Sequence, residues 1–176
     1  MTRTLQNMVD FKLPKVATLL VDTNFFIDLF SHRDKYRELF YEFEKKEIVL
    51  VACDFVKCEF IRTKDKQKLE EKTKLFNETI STLLPIDIKI SELLVSTMAE
   101  YSHDLDGVEM TDLFLGTFIK RYPGLYLLTR NHKDFPTRIF TRSHVFSIEH
   151  DRDVKTYALY QYKKSELKIQ AEDIPF

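Results

Sequence analysis

The chain has 176 residues, 44% hydrophobic and 31% charged, which excludes a disordered polyelectrolyte and leaves one domain, 1–176, with enough apolar mass for a core. Three Gly and five Pro argue against a turn-rich all-β protein, and a net charge of −1 offers nucleic acid no global field, so any such binding rests on a local patch. Cys53 and Cys58 form neither C-x-x-C nor a zinc set with histidine; the opening M-T-R-T-L-Q-N-M-V-D lacks the apolar core of a signal peptide; and no apolar run reaches the ~20 residues of a membrane span. These features predict a cytoplasmic protein with reduced thiols and no membrane partner.

Residues 1–16, with Pro14, read as an irregular lead-in. Residues 17–21 form a short apolar run of the kind buried on both faces of a parallel sheet. Asp22, Thr23 and Asn24 follow, each able to cap a helix N-terminus, and a helix is predicted over about 24–30. Asp22 thereby stands at the carboxyl end of a strand, where open α/β sheets bind ligands. It is either a helix cap or a functional carboxylate. Asp28, further along, is expected to face solvent or pair with a base. Ser31 is placed as the cap of a second helix, from Arg33 to about Lys46, with Tyr36, Leu39, Phe40 and Phe43 at helical spacing.

Ile48–Val51 is the second strand. A helix over 54–62 is expected to turn Phe55, Val56, Cys58 and Phe60 toward the core. The lysine-rich stretch from Thr63 has strong helix propensity, with Leu69, Phe76, Ile80 and Leu83 on one stripe. A third strand at 83–86, a helix over 89–103, an acidic loop at 102–110 (Asp104, Asp106, Glu109), and a helix over 112–121 capped by Thr111 come next. Pro123-Gly124 is a turn, Leu125–Leu128 the fourth strand, and 139–140 and 145–148 hold one or two further strand segments. V-K-T-Y-A-L-Y-Q-Y alternates with period two and predicts an antiparallel edge hairpin; 165–176 read as a short helix or an ordered tail. Strands alternating with helices predict an α/β fold, a three-layer α/β/α sandwich around a mainly parallel sheet of about five strands, with a core over 17–148 and a C-terminal extension over 149–176 carrying the hairpin.

Four acids sit at strand ends or on helices that begin there: Asp22, Glu59, Asp112 and Asp134, with Asn131 three residues before the last. In a doubly wound sheet these ends converge. Crowded carboxylates stay ionised at neutral pH only with a compensating cation, and oxygen donors without His or Cys suit Mg²⁺ or Mn²⁺, the usual apparatus for phosphate chemistry. There is no G-x-x-x-x-G-K-[ST] loop, and Asn24 stands where a phosphatase with an Asp nucleophile carries its second Asp. An acidic site needs a basic rim to hold a polyanion; the candidates are Arg130, His132, Lys133 and Arg138, with Arg142 and His144 beyond. Lys64, Lys66, Lys68, Lys72 and Lys74 read as a solvated helix face, and Tyr157, Tyr160 and Tyr162 as edge packing or a dimer contact.

At these residues the chain resembles the PIN-domain family. L-L-V-D-T-N-F-F-I-D is similar to that family's opening motif, D-F-V-K-C-E-F to the helix carrying its Glu, T-D-L-F-L-G-T-F to its third acidic motif and L-L-T-R-N-H-K-D-F to its fourth. The resemblance covers roughly 17–148. It implies a metal-dependent endoribonuclease, VapC-like in size, with an antitoxin and a homodimer as implied partners. It further implies that Asp22, Glu59 and Asp112 are metal ligands and that Thr23 and Asn24 orient Asp22. The fourth acid of the family directly follows Thr-Arg, where this chain has Asn131; either Asp134 substitutes from the next turn or Asn131 serves as a neutral ligand. The alternative to catalysis is a degenerate PIN-like module that binds RNA or protein.

Overall fold

The computed structural model describes residues 13–101, 107–151 and 153–163. The chain runs β1 (Thr18–Val21), α1 (Thr23–Ser31), a 3₁₀ turn (Arg33–Tyr36), α2 (Arg37–Lys45), β2 (Val49–Cys53), α3 (Asp54–Ile61), α4 (Lys66–Thr79), β3 (Thr82–Leu84), α5 (Ile88–Tyr101), α6 (Met110–Arg121), β4 (Leu125–Thr129), a second 3₁₀ turn (His132–Asp134), β5 (Phe140–Glu149) and β6 (Val154–Tyr162). It is an α/β protein with one six-stranded sheet in the order β3-β2-β1-β4-β6-β5. Leu19, Leu20 and Val21 are all fully buried although successive strand residues point to opposite faces, so both faces of β1 are covered.

The first three strands step one way across the sheet, and β4 then returns to pair with β1 on its other side. This reversal makes the carboxyl ends of β1 and β4 the topological switch point, the place where such sheets open a crevice. Helices α1, α3 and α4 pack together, and α5 packs on α6. Gly116 lets α6 approach closely: a Cβ there would meet Phe140 and the Tyr101 hydroxyl at 3.1 Å.

Several sequence expectations need correction. The sheet is mixed, because β6 pairs antiparallel with β4 as well as with β5. The hairpin is thus no appendage beyond residue 148; its first strand begins at Phe140 and its second lies inside the sheet. The two fragments expected at 139–140 and 145–148 are one strand, interrupted where the register shifts between Ser143 and Phe146 and His144 takes a left-handed φ of 49°. Ser31 ends α1 and donates to the Ile27 carbonyl rather than capping α2. The helix expected from Thr111 begins at Met110, with Glu109 before it. Phe55 and Cys58 face outward, since the short α3 buries only Val56 and Phe60, four apart. Tyr157 and Tyr160 are core residues. The acidic-loop residues Asp104 and Asp106 and the tail at 165–176 lie outside the described residues. Among the described residues, no helix is long and apolar enough to cross a membrane.

Candidate active site

Asp22 ends β1 and precedes α1, but its carboxylate does not cap the helix. Its Oδ2 instead accepts from the Thr129 hydroxyl at 2.6 Å and from the Asn24 amide. The register makes this possible. Val21 pairs with Leu128, so the next residues, Asp22 just past β1 and Thr129 at the end of β4, lie side by side. Thr129 is fully buried and serves three partners: it donates to Asp22 and accepts from Asn24 Nδ2 at 3.1 Å and from the Asn131 backbone N–H at 2.9 Å. Asn24 Oδ1 in turn accepts the Arg130 backbone N–H at 3.3 Å, tying α1 to the end of β4. Thr23 donates to Glu59 on α3 at 2.7 Å.

Asp112 enters from the first turn of α6 and Asp134 from the 3₁₀ turn after β4; both are buried. The Asn131 amide stands between them, donating to Asp112 Oδ2 at 3.2 Å and to Asp134 Oδ2 at 2.6 Å. Asp22, Thr23, Asn24, Glu59, Asp112, Asn131 and Asp134 line one cleft of about 300 Å³, which also takes in Glu109, Thr111, Arg130 and Lys133, with Thr129 buried behind it. The structure therefore brings together Asp22, Glu59, Asp112, Asp134, Asn131, Thr23, Asn24, Arg130 and Lys133.

The electrostatics follow from the crowding. Burial, with the charges of Asp22, Asp134, Glu109 and Glu59 behind it, pushes Asp112 up to about 8. Burial likewise lifts Asp22 to about 6; the Thr129 hydrogen bond works against this and the Glu59 charge with it. Against five carboxylates the cleft sets two cations, and neither balances them. Lys133 is largely exposed, its Nζ 3.9 Å from Asp134. Arg130 is already paired: its Nε donates to Asp28 at 2.7 Å.

Of the two placements expected of Asp28, the structure takes the pairing with a base: the side chain is buried, and it also accepts from the Tyr157 hydroxyl at 2.6 Å. Burial, Tyr36 and this hydrogen bond push the Tyr157 phenol far above its usual range, so it keeps the proton it donates. With that proton committed, Tyr36 donates to Tyr157 across 2.8 Å, and Tyr36 accepts from His150 Nε2 at 3.3 Å. His150 is thus a buried end of the relay.

Two expected rim residues lie elsewhere. His132 spends both ring nitrogens on β6, on the Tyr160 hydroxyl at 3.0 Å and the Thr156 carbonyl at 3.1 Å. Arg138 donates to the carbonyls of Glu100 and Tyr101, closing the end of α5 where backbone oxygens lack partners. Arg142 and His144 sit on β5, the outermost strand. The residues that sequence reasoning passed over are Thr129 and Glu109. Glu109 stood in the acidic loop without a role, and Thr129 stood unremarked inside the fourth motif.

Among the described residues, no three His, Cys, Asp or Glu side chains form a ready-made metal cage. The donor chemistry nonetheless fits a hard divalent cation: the acids offer only oxygen, Asp22, Asp112 and Asp134 are buried while Glu59 and Glu109 are exposed at the mouth, and burial first, then the neighbouring carboxylates, raises Asp112. No family model matches the chain, and neither the curated proteins nor the solved structures give a match.

Proposed function

We propose that the protein is a metal-dependent endoribonuclease with a PIN-like three-layer α/β/α architecture, using Mg²⁺ or Mn²⁺ to hydrolyse RNA phosphodiester bonds. The observation that carries this reading is the convergence of Asp22, Glu59, Asp112 and Asp134 on one cleft at the switch point, where burial and the neighbouring carboxylates together raise Asp112 to about 8. A bound divalent cation would polarise the scissile phosphate and make a water more acidic. Asp22, Asp112, Asp134 and Glu59 supply the oxygens to hold it. Thr129 and Asn24 fix the orientation of Asp22, and Thr23 that of Glu59, the support that tunes such ligands. Asp112 or Asp134 would help position the attacking water. Arg130, held by Asp28, and Lys133 attract the phosphate past the acids. On the same reading the protein works in the cytoplasm, as a homodimer or restrained by an antitoxin protein.

One observation favours a second reading, a non-catalytic RNA- or protein-binding module: the Asn131 amide donates where a fourth acid would bind metal. Calorimetry with Mn²⁺ on the wild type and on Asp22→Asn separates the two. Binding that the substitution removes supports the nuclease. Absence of binding at millimolar metal supports the module and overturns the catalytic reading.

A further inference from the structure

Beside the acidic cleft lies a second hollow of about 370 Å³, between α3 and the start of α6. It shares Glu59, Glu109 and Thr111 with the cleft, so the two are continuous. Its remaining wall is of different chemistry: Phe55, Met110, Cys58 and Arg62. Phe55 is 38% exposed and Met110 51%, although both border a group of carboxylates. The Phe55 ring is not loose. It lies on Phe114, with centroids 4.6 Å apart and planes inclined by 30°, so one face is held by the protein while its exposed side borders the hollow. A fixed aromatic face beside a flexible thioether is a stacking platform that costs little to order.

We propose that this hollow receives an unpaired nucleobase of the strand whose phosphate occupies the acidic cleft, a subsite that rests on the ribonuclease reading. Charge decides which part of the strand goes where. Glu59 and Glu109 at the junction repel a phosphate but tolerate a neutral base, and their oxygens accept from its amino or imino groups. The exposed guanidinium of Arg62, on the far wall, receives the backbone phosphate beyond that base. Arg130 and Lys133 face the strand at the other end. The alternation of cation, acidic cleft, apolar platform and cation fits single-stranded RNA, whose bases are free to splay. A duplex keeps its bases stacked and offers nothing for the platform.

The chain carries its own reporter. Of its two thiols Cys53 is buried and Cys58 is exposed on the wall of the hollow. The test uses the Asp22→Asn chain, to keep the strand intact, with decaadenylate RNA and an abasic strand of equal length as probes. Anisotropy gives binding, and mass spectrometry gives the rate of Cys58 alkylation by N-ethylmaleimide. The RNA is expected to slow alkylation of Cys58 while the abasic strand leaves it unchanged, and Phe55→Ala weakens RNA binding about tenfold, one base's worth of stacking, without affecting the abasic strand. Met110→Ala repeats the comparison at a position on the opposite wall, should the first substitution melt the helix. Tight RNA binding with Cys58 reacting at its free rate overturns the subsite and leaves the ribonuclease reading standing. Failure of both strands to bind overturns both.

Discussion

Replacing Asp112 by asparagine is expected to stabilise the metal-free protein. In the folded chain the Asp112 carboxyl sits at about 8, whereas in the unfolded chain it returns to its ordinary 3.8. Between those values the native state holds a proton that the unfolded state has released, so this group's contribution is intact below pH 4 and is lost as pH rises through 8. The rise from 3.8 to about 8, at 1.36 kcal/mol per pH unit, sets an upper bound of about 6 kcal/mol; because Asp22, Asp134, Glu109 and Glu59 share part of that penalty, ~2–4 kcal/mol is the expectation at pH 8. The asparagine keeps the shape and an oxygen for the Asn131 amide, and discards the charge. For a chain of this size the gain corresponds to roughly 5–10 °C in Tm. Thermal melts by circular dichroism in EDTA, from pH 4.5 to 8.5, measure it: the variant should match wild type at the acid end and exceed it increasingly toward the alkaline end. With Mn²⁺ added the order should invert, since only wild type gains from a ligand that binds the native state. A variant less stable than wild type at pH 8, or a gain that does not change with pH, would refute the electrostatic account of the cleft.

Thr129→Val removes the hydroxyl that holds Asp22, Asn24 and Asn131 together; calorimetry should find Mn²⁺ affinity reduced about 10–100-fold, and an unchanged affinity would deny Thr129 its supporting role. Arg130→Ala leaves Asp28 buried without its cation and should cost about 3–5 kcal/mol in urea denaturation, with Arg130→Ala/Asp28→Asn recovering much of the loss; a single-variant cost below about 1 kcal/mol would show the pair to be incidental. RNA cleavage should vanish in EDTA and return with Mg²⁺ or Mn²⁺, and cleavage that persists in chelator points to a metal-free reaction. Asn131→Asp adds a carboxylate between Asp112 and Asp134, so it should lower the Tm of the metal-free chain and tighten Mn²⁺ binding; a rise in Tm without metal would contradict the charge balance drawn for the cleft.

What was legible in the sequence is what local chemistry dictates. The apolar run before Asp22 announced a strand buried on both faces, and Asp22, Glu59, Asp112 and Asp134 were recoverable because carboxylates at strand ends stand out against apolar neighbours. Thr129 was not, because a threonine closing a strand is unremarkable until the β1–β4 register sets it against a residue 107 positions away. Asp28 was expected to face solvent or pair with a base, and the base could not be named for the same reason: its partners are 102 and 129 residues distant. β5 was seen in halves because the irregularity at His144 breaks the period-two alternation on which strand reading depends. His132 and Arg138 were drawn into the rim by proximity in sequence, but a 3₁₀ turn and the open end of α5 claimed them first.

The end of β4 shows why charge collects in the cleft rather than elsewhere in the core. Three successive residues each answer a different carboxylate with a different donor: Thr129 gives a hydroxyl to Asp22, Arg130 a guanidinium to Asp28, and Asn131 an amide to Asp112 and Asp134. Only Asp28 receives a full positive charge, and Asp28 does not line the cleft. Asp22, Glu59, Asp112 and Asp134, which do line it, receive hydrogen bonds from neutral donors, which orient their oxygens without cancelling their charge; the one cation near them, Lys133, is exposed and 3.9 Å from Asp134. A protein that needed these groups only for stability would do better with apolar side chains of the same volume, because buried polar and ionised groups cost more than they return unless fully compensated. The distribution of donors therefore separates a finished ion pair from an unfinished one, and the unfinished one faces the solvent-accessible crevice. A divalent cation is the simplest group that completes it, and phosphate hydrolysis is the chemistry such a completed centre most readily supports.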